Sequence, residues 1–221
     1  MKNSFAPEEW YHCFSRGIDK RIVFKEPKDY ERFLQLLYIC NSYEKLHRSD
    51  LKNPSIKEVL RIPRPSTLVG IGAYCLMPNH FHLLLKEKKP GSISNFMRKL
   101  GTAYTMYFNI KYDRSGGLFT RPFRSRHIQD DRYIQRVIQY IHCNPAELFE
   151  PKWKVGRVKN IKSLEYNLRK YSYSSLGAFT DNLATKPILD EVIFDIETQL
   201  SPPQMLSEAR EYYAEYGKVT P

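Results

Sequence analysis

Two histidines one residue apart, and a tyrosine four residues before an asparagine, are the side chains here whose types and spacing could carry chemistry. His80 and His82 lie in an apolar run, residues 73–85, broken only by Met77-Pro78-Asn79, which reads as two short strands around a bend. Side chains alternate faces along a strand, so the two imidazoles point to one side, roughly 7 Å apart. Such a pair is half of a divalent-metal site; it is also what two hydrogen-bonded core or surface histidines would look like. Tyr140 and Asn144 fall on one stripe of a helical segment, about 70–110° from the centre of its apolar face. Tyr133 extends the stripe, with Arg136 beside it. A boundary stripe lets a reactive side chain rest on a core and still face a cleft. The same stripe also suits a wet boundary tyrosine and a plain asparagine cap.

Taken together, these residues suggest one chemistry. Two imidazoles and an amide oxygen can hold Mg²⁺ or Mn²⁺ and leave coordination positions for phosphate oxygens. A phosphodiester polarised in this way needs a nucleophile. A tyrosine hydroxyl, with an ordinary pKa near ~10, attacks poorly until the phosphate is activated. Its product is a covalent phosphotyrosine, which keeps the bond energy for rejoining strands. The spacing permits Tyr140 to reach such a cation.

The elements that must position these groups are legible in outline. Residues 10–15 alternate large side chains as a first strand ended by Arg16-Gly17, and His12 within it reads as structural. Pro27 opens a helix over 27–43 with an inward stripe of Tyr30, Phe33, Leu34, Leu37 and Tyr38. Residues 44–66, charged and containing three prolines, read as an inserted loop with a short helix at 55–61. Strands over 67–76 and 80–86 follow, then a helix over 92–112 capped by Ser92 or Ser94. A strand over 118–129 sets Arg124 and Arg126 on one face, with Arg121 just before, a candidate phosphate track. Asp130-Asp131 caps a helix over 132–143 whose Ile134, Val137, Ile138 and Ile141 form a clean apolar face. Pro145 should end it by biasing Asn144 away from helical geometry. Residues 151–173 are basic and rich in tyrosine, and 171–175 read as a loop or short helix. Helices over 187–200 and 203–217 close the chain, each opened by proline. One body over residues 5–180 and an acidic helical tail over 187–221 are expected.

Composition narrows the class. The 221 residues are 42% hydrophobic and 14% aromatic, enough for a well-packed core. No apolar run approaches a membrane-spanning length, and Met1-Lys2-Asn3-Ser4 starts no signal-peptide pattern. Cys13, Cys40, Cys75 and Cys143 are scattered, as expected of reduced thiols in a cytoplasmic protein. The net charge is +11, but residues 187–221 hold seven acidic and two basic residues, a net of −5, so the rest carries +16. A body this basic suits a polyanionic partner, of which nucleic acid is the commonest.

Met77-Pro78-Asn79-His80-Phe81-His82-Leu83-Leu84, Gly117-Leu118-Phe119 with Arg121-Pro122-Phe123, and Tyr140-Ile141-His142-Cys143-Asn144-Pro145 occur in this order and spacing. In these motifs, from about Trp10 to Ser175, the chain resembles the IS200/IS605-type single-tyrosine (Y1) HUH transposases, and among them the REP-associated tyrosine transposases (RAYT). The resemblance implies an α+β fold, a ferredoxin-like antiparallel sheet flanked by helices in the HUH endonuclease architecture. It also implies metal-dependent cleavage and rejoining of single-stranded DNA beside hairpins of palindromic repeats, through a 5′-phosphotyrosine. His80 and His82 match the HUH histidines, Tyr140 the catalytic tyrosine and Asn144 the third polar metal ligand; Arg121, Arg124, Arg126 and Arg136 are expected DNA contacts. The insertion at 44–66 and the tail after residue 186 depart from the pattern, which leaves monomer and homodimer both open. A hairpin-binding protein that no longer cuts, and a hydrolytic metal phosphodiesterase that leaves Tyr140 idle, are the competing expectations.

Overall fold

The computed structural model describes residues 4–44, 54–180, 185–196 and 200–216. Four strands, β1 (Trp10–Arg16), β2 (Val69–Met77), β3 (His80–Glu87) and β4 (Arg124–Ile128), form one sheet in the order β2-β3-β1-β4. All three pairings are antiparallel. Helices α1 (Pro27–Ile39), α2 (Ile56–Val59) and α3 (Ser92–Lys111) precede β4. After it come α4 (Asp131–Cys143), α5 (Ala146–Phe149), α6 (Ile161–Lys170), α7 (Leu176–Thr180), α8 (Ile193–Ile196) and α9 (Pro202–Tyr216). The βαββαβ order with the termini of the motif on the two central-to-edge strands is the ferredoxin-like α+β arrangement, as expected from the sequence.

Strand parity splits the interior in two. Tyr11, Cys13, Phe81, Leu83 and Leu85 face α1 and α3, where Phe33, Leu37, Phe96, Leu100 and Tyr104 complete one core. Trp10, Ala73, Cys75, Met77 and Leu84 face the other way and meet Ile134, Val137, Ile138 and Ile141 of α4. Burying side chains of this size yields about 1.5–3 kcal/mol each, so both cores hold the sheet. α9 joins the second core through Leu206, Ala209 and Tyr212. The four cysteines are buried and unbridged. No helix among the described residues is long and apolar enough to cross a membrane.

Several expectations are corrected. The first long helix ends at Ile39 and not at residue 43, and residues 45–53 of the expected inserted loop lie outside the described residues. Neither Ser92 nor Ser94 caps α3; Gly91 takes the cap position at φ 83°, and the buried Glu87 carboxylate accepts from Gly91 N and Ile93 N instead. β4 begins only at Arg124, since Pro122 has no N–H to extend a ladder. Asn144 is helical at φ −53°, ψ −42°, despite the following proline. Its side-chain amide donates to Tyr140 O at 3.0 Å, satisfying a terminal carbonyl while its own N–H turns to Ile141 O. Residues 187–200 do not form one helix. Asp190 N donates to Ile71 O and the Asp190 carboxylate pairs with Lys88 at 2.8 Å, which ties this stretch to the sheet edge; among the described residues the single turn of α8 follows. Residues 171–175 run along β2, exchanging backbone bonds with Tyr74 and Leu76, and so cover an otherwise open edge.

Candidate metal and nucleophile site

Strand register assembles the site on the α4 face. Arg16 stands opposite His80 and Phe14 opposite His82 across β1 and β3; on β4, Arg124 continues the Phe14–His82 row and Arg126 lies opposite His12. His80 and His82 therefore share one face, with ring centroids 5.0 Å apart. α4 crosses this face and sets the Tyr140 ring edge-on to His82, centroids 5.5 Å apart at 90°. Asn144, one turn on, brings its amide close enough to bear on the His80 ring. The two halves of the site, some sixty residues apart in sequence, meet.

Protons are ordered so that lone pairs point into the site. His80 Nδ1 donates to Asn79 Oδ1 at 2.7 Å, which leaves Nε2 as the acceptor. His82 Nδ1 lies 2.8 Å from His12 Nε2, and His12 Nδ1 lies 2.9 Å from the Tyr212 hydroxyl. When His82 donates to His12, and His12 to Tyr212, the His82 Nε2 lone pair is free for a cation, the usual way an outer histidine fixes the tautomer of a metal ligand. His80 Nε2, His82 Nε2 and Asn144 Oδ1 are all buried without a hydrogen-bond partner among the described residues. Unsatisfied buried acceptors are rare and costly, and the donor types of this set, with the two rings 5.0 Å apart and Asn144 beside His80, would suit an oxygen- or nitrogen-ligated divalent ion. No group of three His, Cys, Asp or Glu suited to a metal occurs among the described residues; a site here would need the Asn144 amide as its third ligand.

Burial holds these imidazoles neutral. It pushes His80 down to about 3, helped by the Arg16 and Lys154 charges, and His12 down to about 3, helped by Arg126. His82 is likewise held well below its ordinary value by burial and by its histidine neighbours. His142, on the α4 side facing Ser175 Oγ at 2.9 Å, is pushed down to about 3 by burial alone. With 6.5 in the unfolded chain and about 3 in the fold, the folded state binds fewer protons between these values. The stability from His142 is thus largely present above pH 6.5 and lost on acidification, on the order of 1 kcal/mol of it by pH 5.5. The urea midpoint should fall between pH 7.5 and 5.5, and fall less in His142→Phe. A midpoint flat over that range in the wild type would refute the buried neutral ring.

The sequence-predicted residues are placed unequally. His80, His82, Tyr140 and Asn144 converge. Tyr140, expected at a cleft, is instead fully buried, because α9 lies over its stripe and packs Tyr212 at 5.0 Å between ring centroids. Arg136 is ion-paired to Glu208 at 2.9 Å and Glu211 at 2.8 Å, and so turned to the tail. Arg124 and Arg126 share the histidine face of β4, while Arg121 lies on the opposite side. Sequence reasoning missed Arg16, Lys154, Tyr212 and the link from His12 to His82. A cavity of about 480 Å³ beside His80 is lined by Arg16, Asn79, Glu147, Lys154 and Tyr213. Arg16 Nε is buried there without a partner among the described residues, a cation ready for an anionic ligand. Its only sequence signal was parity with His12 along β1.

Among solved structures, the chain is similar to that described as "Structure of the REP associates tyrosine transposase bound to a REP hairpin", at 12% identity and a TM-score of 0.47, over 91% of this chain and 92% of that one. No curated protein matches. The family described as "Transposase IS200 like" matches residues 11–144, a span that begins in β1, contains both strand histidines and ends on Asn144. With well over half of its residues in that match, the chain belongs to the IS200-like transposase family.

Proposed function

We propose that the protein is a metal-dependent endonuclease and strand transferase that cuts single-stranded DNA beside hairpins of palindromic repeats. The observation that carries this reading is the convergence of three partnerless buried acceptors, His80 Nε2, His82 Nε2 and Asn144 Oδ1, beside the Tyr140 ring. A bound Mg²⁺ or Mn²⁺ would polarise the phosphodiester and offset charge in the transition state. His80, His82 and Asn144 would hold that ion. Arg16 would seat the phosphate in the adjoining cavity, where Lys154, paired to Glu147 at 2.8 Å, adds positive charge. The Tyr140 hydroxyl oxygen attacks phosphorus, the bond to the 3′ oxygen breaks, and the departing 3′ oxygen takes up the proton the phenol gives up. The 5′ end stays on Tyr140, and attack by another 3′ hydroxyl reverses the sequence and joins strands.

The burial of Tyr140 under α9 also supports a second reading, a hairpin-binding protein in which cutting is suppressed. Incubation of the protein with hairpin DNA carrying single-stranded flanks, with Mg²⁺ or Mn²⁺ and with a chelator, separates the readings on a denaturing gel. A metal-dependent covalent protein–DNA species supports the first. Binding alone supports the second, and a free 5′-phosphate product would mean hydrolysis by water.

Arg124 and Arg126 are assigned to phosphate contacts because they flank the histidine face on the edge strand. Arg126→Ala should weaken hairpin binding for all sequences alike and reduce the slope of log affinity against log salt by about 0.7 for a lost single-strand contact. An unchanged slope would remove Arg126 from the DNA path.

A further inference from the structure

We infer that the opposite side of the sheet carries a pocket for one unpaired nucleotide of the DNA strand, an inference that rests on the DNA reading above. A cavity of about 440 Å³ lies between α3 and the loop at 118–123, within the roughly 300–1,000 Å³ usual for ligand pockets. Phe81, Phe119 and Phe123 give it aromatic walls, and Thr102, Thr105 and Thr120 bring hydroxyls to it. Arg98 and Arg121, both exposed, stand among its lining, and no carboxylate does. Aromatic faces with guanidinium groups and no negative charge match a base and its phosphate.

Gly101 is an independent sign. It sits in the middle of the 20-residue α3, where glycine is unfavourable relative to alanine. No internal contact explains it, since a Cβ built there meets nothing within 4 Å. Gly101 lines the cavity, so a side chain at this position would take up space in it. The open space suits a partner outside the chain.

The pocket is also connected to the site. Phe81 lines it from between His80 and His82, and Ser15 lines it one residue before Arg16. The two cavities are thus separated by a single layer of strand. Beyond Phe14, β1 has no β4 partner; the loop closes that edge through the Gly17–Phe119 bridge and a bond from Thr120 N to Arg16 O. A single strand turning around this loop could leave one base in the pocket and present a following phosphate to Arg16.

The test is titration of the isotope-labelled full chain with a random pool of single-stranded DNA hexanucleotides, followed by amide shifts, for the wild type, Gly101→Ala and Gly101→Leu. Expected are shifts at Gly101, Thr102 and Thr120 in the wild type, and affinity at these signals roughly tenfold to a hundredfold weaker in Gly101→Leu, the worth of one stacked base. The thermal midpoint of Gly101→Ala should equal or exceed that of the wild type, since an added Cβ meets nothing within 4 Å, and the melt of Gly101→Leu must show that it remains folded at the titration temperature. Shifts confined to the histidine face, unaltered by Gly101→Leu, would overturn the pocket and leave the DNA reading intact. Absence of any DNA-induced shift would overturn both. Saturation of the pocket by a free deoxynucleoside monophosphate at the same concentration would overturn the assignment to a strand.

Discussion

Tyr140→Phe is expected to abolish the covalent protein–DNA species while leaving hairpin affinity within about threefold and the melting temperature unlowered. The substitution removes one oxygen and keeps a ring that packs edge-on against His82 and beside Tyr212. Packing of the second core is therefore preserved, and a volume-conserving change of this kind typically costs little. The chemistry is not preserved. The neighbouring Tyr212 hydroxyl is bonded to His12 Nδ1 at 2.9 Å and so is not aimed at the histidine pair as a replacement. Loss of a nucleophile should reduce adduct formation at least a thousandfold, to background. His80→Ala makes the complementary test. It deletes an Nε2 acceptor that lies beside Arg16 and Asn144, so metal-dependent cleavage should be lost, while affinity carried by the arginines remains. If Tyr140→Phe still cuts and releases a free 5′-phosphate, water is the nucleophile and the tyrosine mechanism is wrong.

How far the site could be read from sequence depends on the range of the signal. His80 and His82 were legible because strand parity is a property of adjacent residues. Tyr140 and Asn144 were legible because four residues are one helical turn. The strands and helices that carry them followed from periodicity and caps, such as Asp130, which accepts from Tyr133 N at 2.9 Å. What failed was non-local. The bond from His12 to His82 is a diagonal contact set by the β1–β3 register, and the bond from His12 to Tyr212 spans 200 positions. No window of sequence holds either. The stripe of Tyr133, Arg136 and Tyr140 was read as facing a cleft because its local pattern is that of a wet boundary. A second amphipathic helix laid over it produces the same pattern. In sequence Arg16 marks the end of a strand, although its parity with His12 and its place opposite His80 set it beside the candidate site. Pro145 misled in the same way: a local backbone bias was outweighed by the bond from the Asn144 amide to Tyr140 O in a fully packed setting.

Loosening α9 should increase adduct formation by roughly thirtyfold to a hundredfold under single-turnover conditions. In the structure this helix covers Tyr140. Tyr212 packs at a tilt against Tyr140 and bonds His12, Leu206 and Ala209 fill the adjoining core, and Glu208 and Glu211 occupy the Arg136 guanidinium. A DNA strand cannot reach a fully buried phenol without displacing this cover, so only the opened fraction of molecules can react. The two parts of the cover contribute unequally. The ion pairs are partly exposed, and such pairs are worth about 0–1 kcal/mol each, less in salt. The buried aromatic ring is worth more, about 3 kcal/mol or above on truncation to alanine. Tyr212→Ala should therefore shift the closed-to-open balance by about 2–3 kcal/mol after partial relaxation, which is the stated factor. Glu208→Gln with Glu211→Gln should give a smaller gain, most visible at low salt, where phosphate and carboxylate compete for Arg136. Because Tyr212 also packs the second core, thermal melts must show that Tyr212→Ala remains folded at the assay temperature. The charge-only double variant supplies the reading should it not. Equal adduct yield in folded Tyr212→Ala, in the double variant and in the wild type would mean that α9 does not gate access, and that Tyr140 is reached by another movement or not at all.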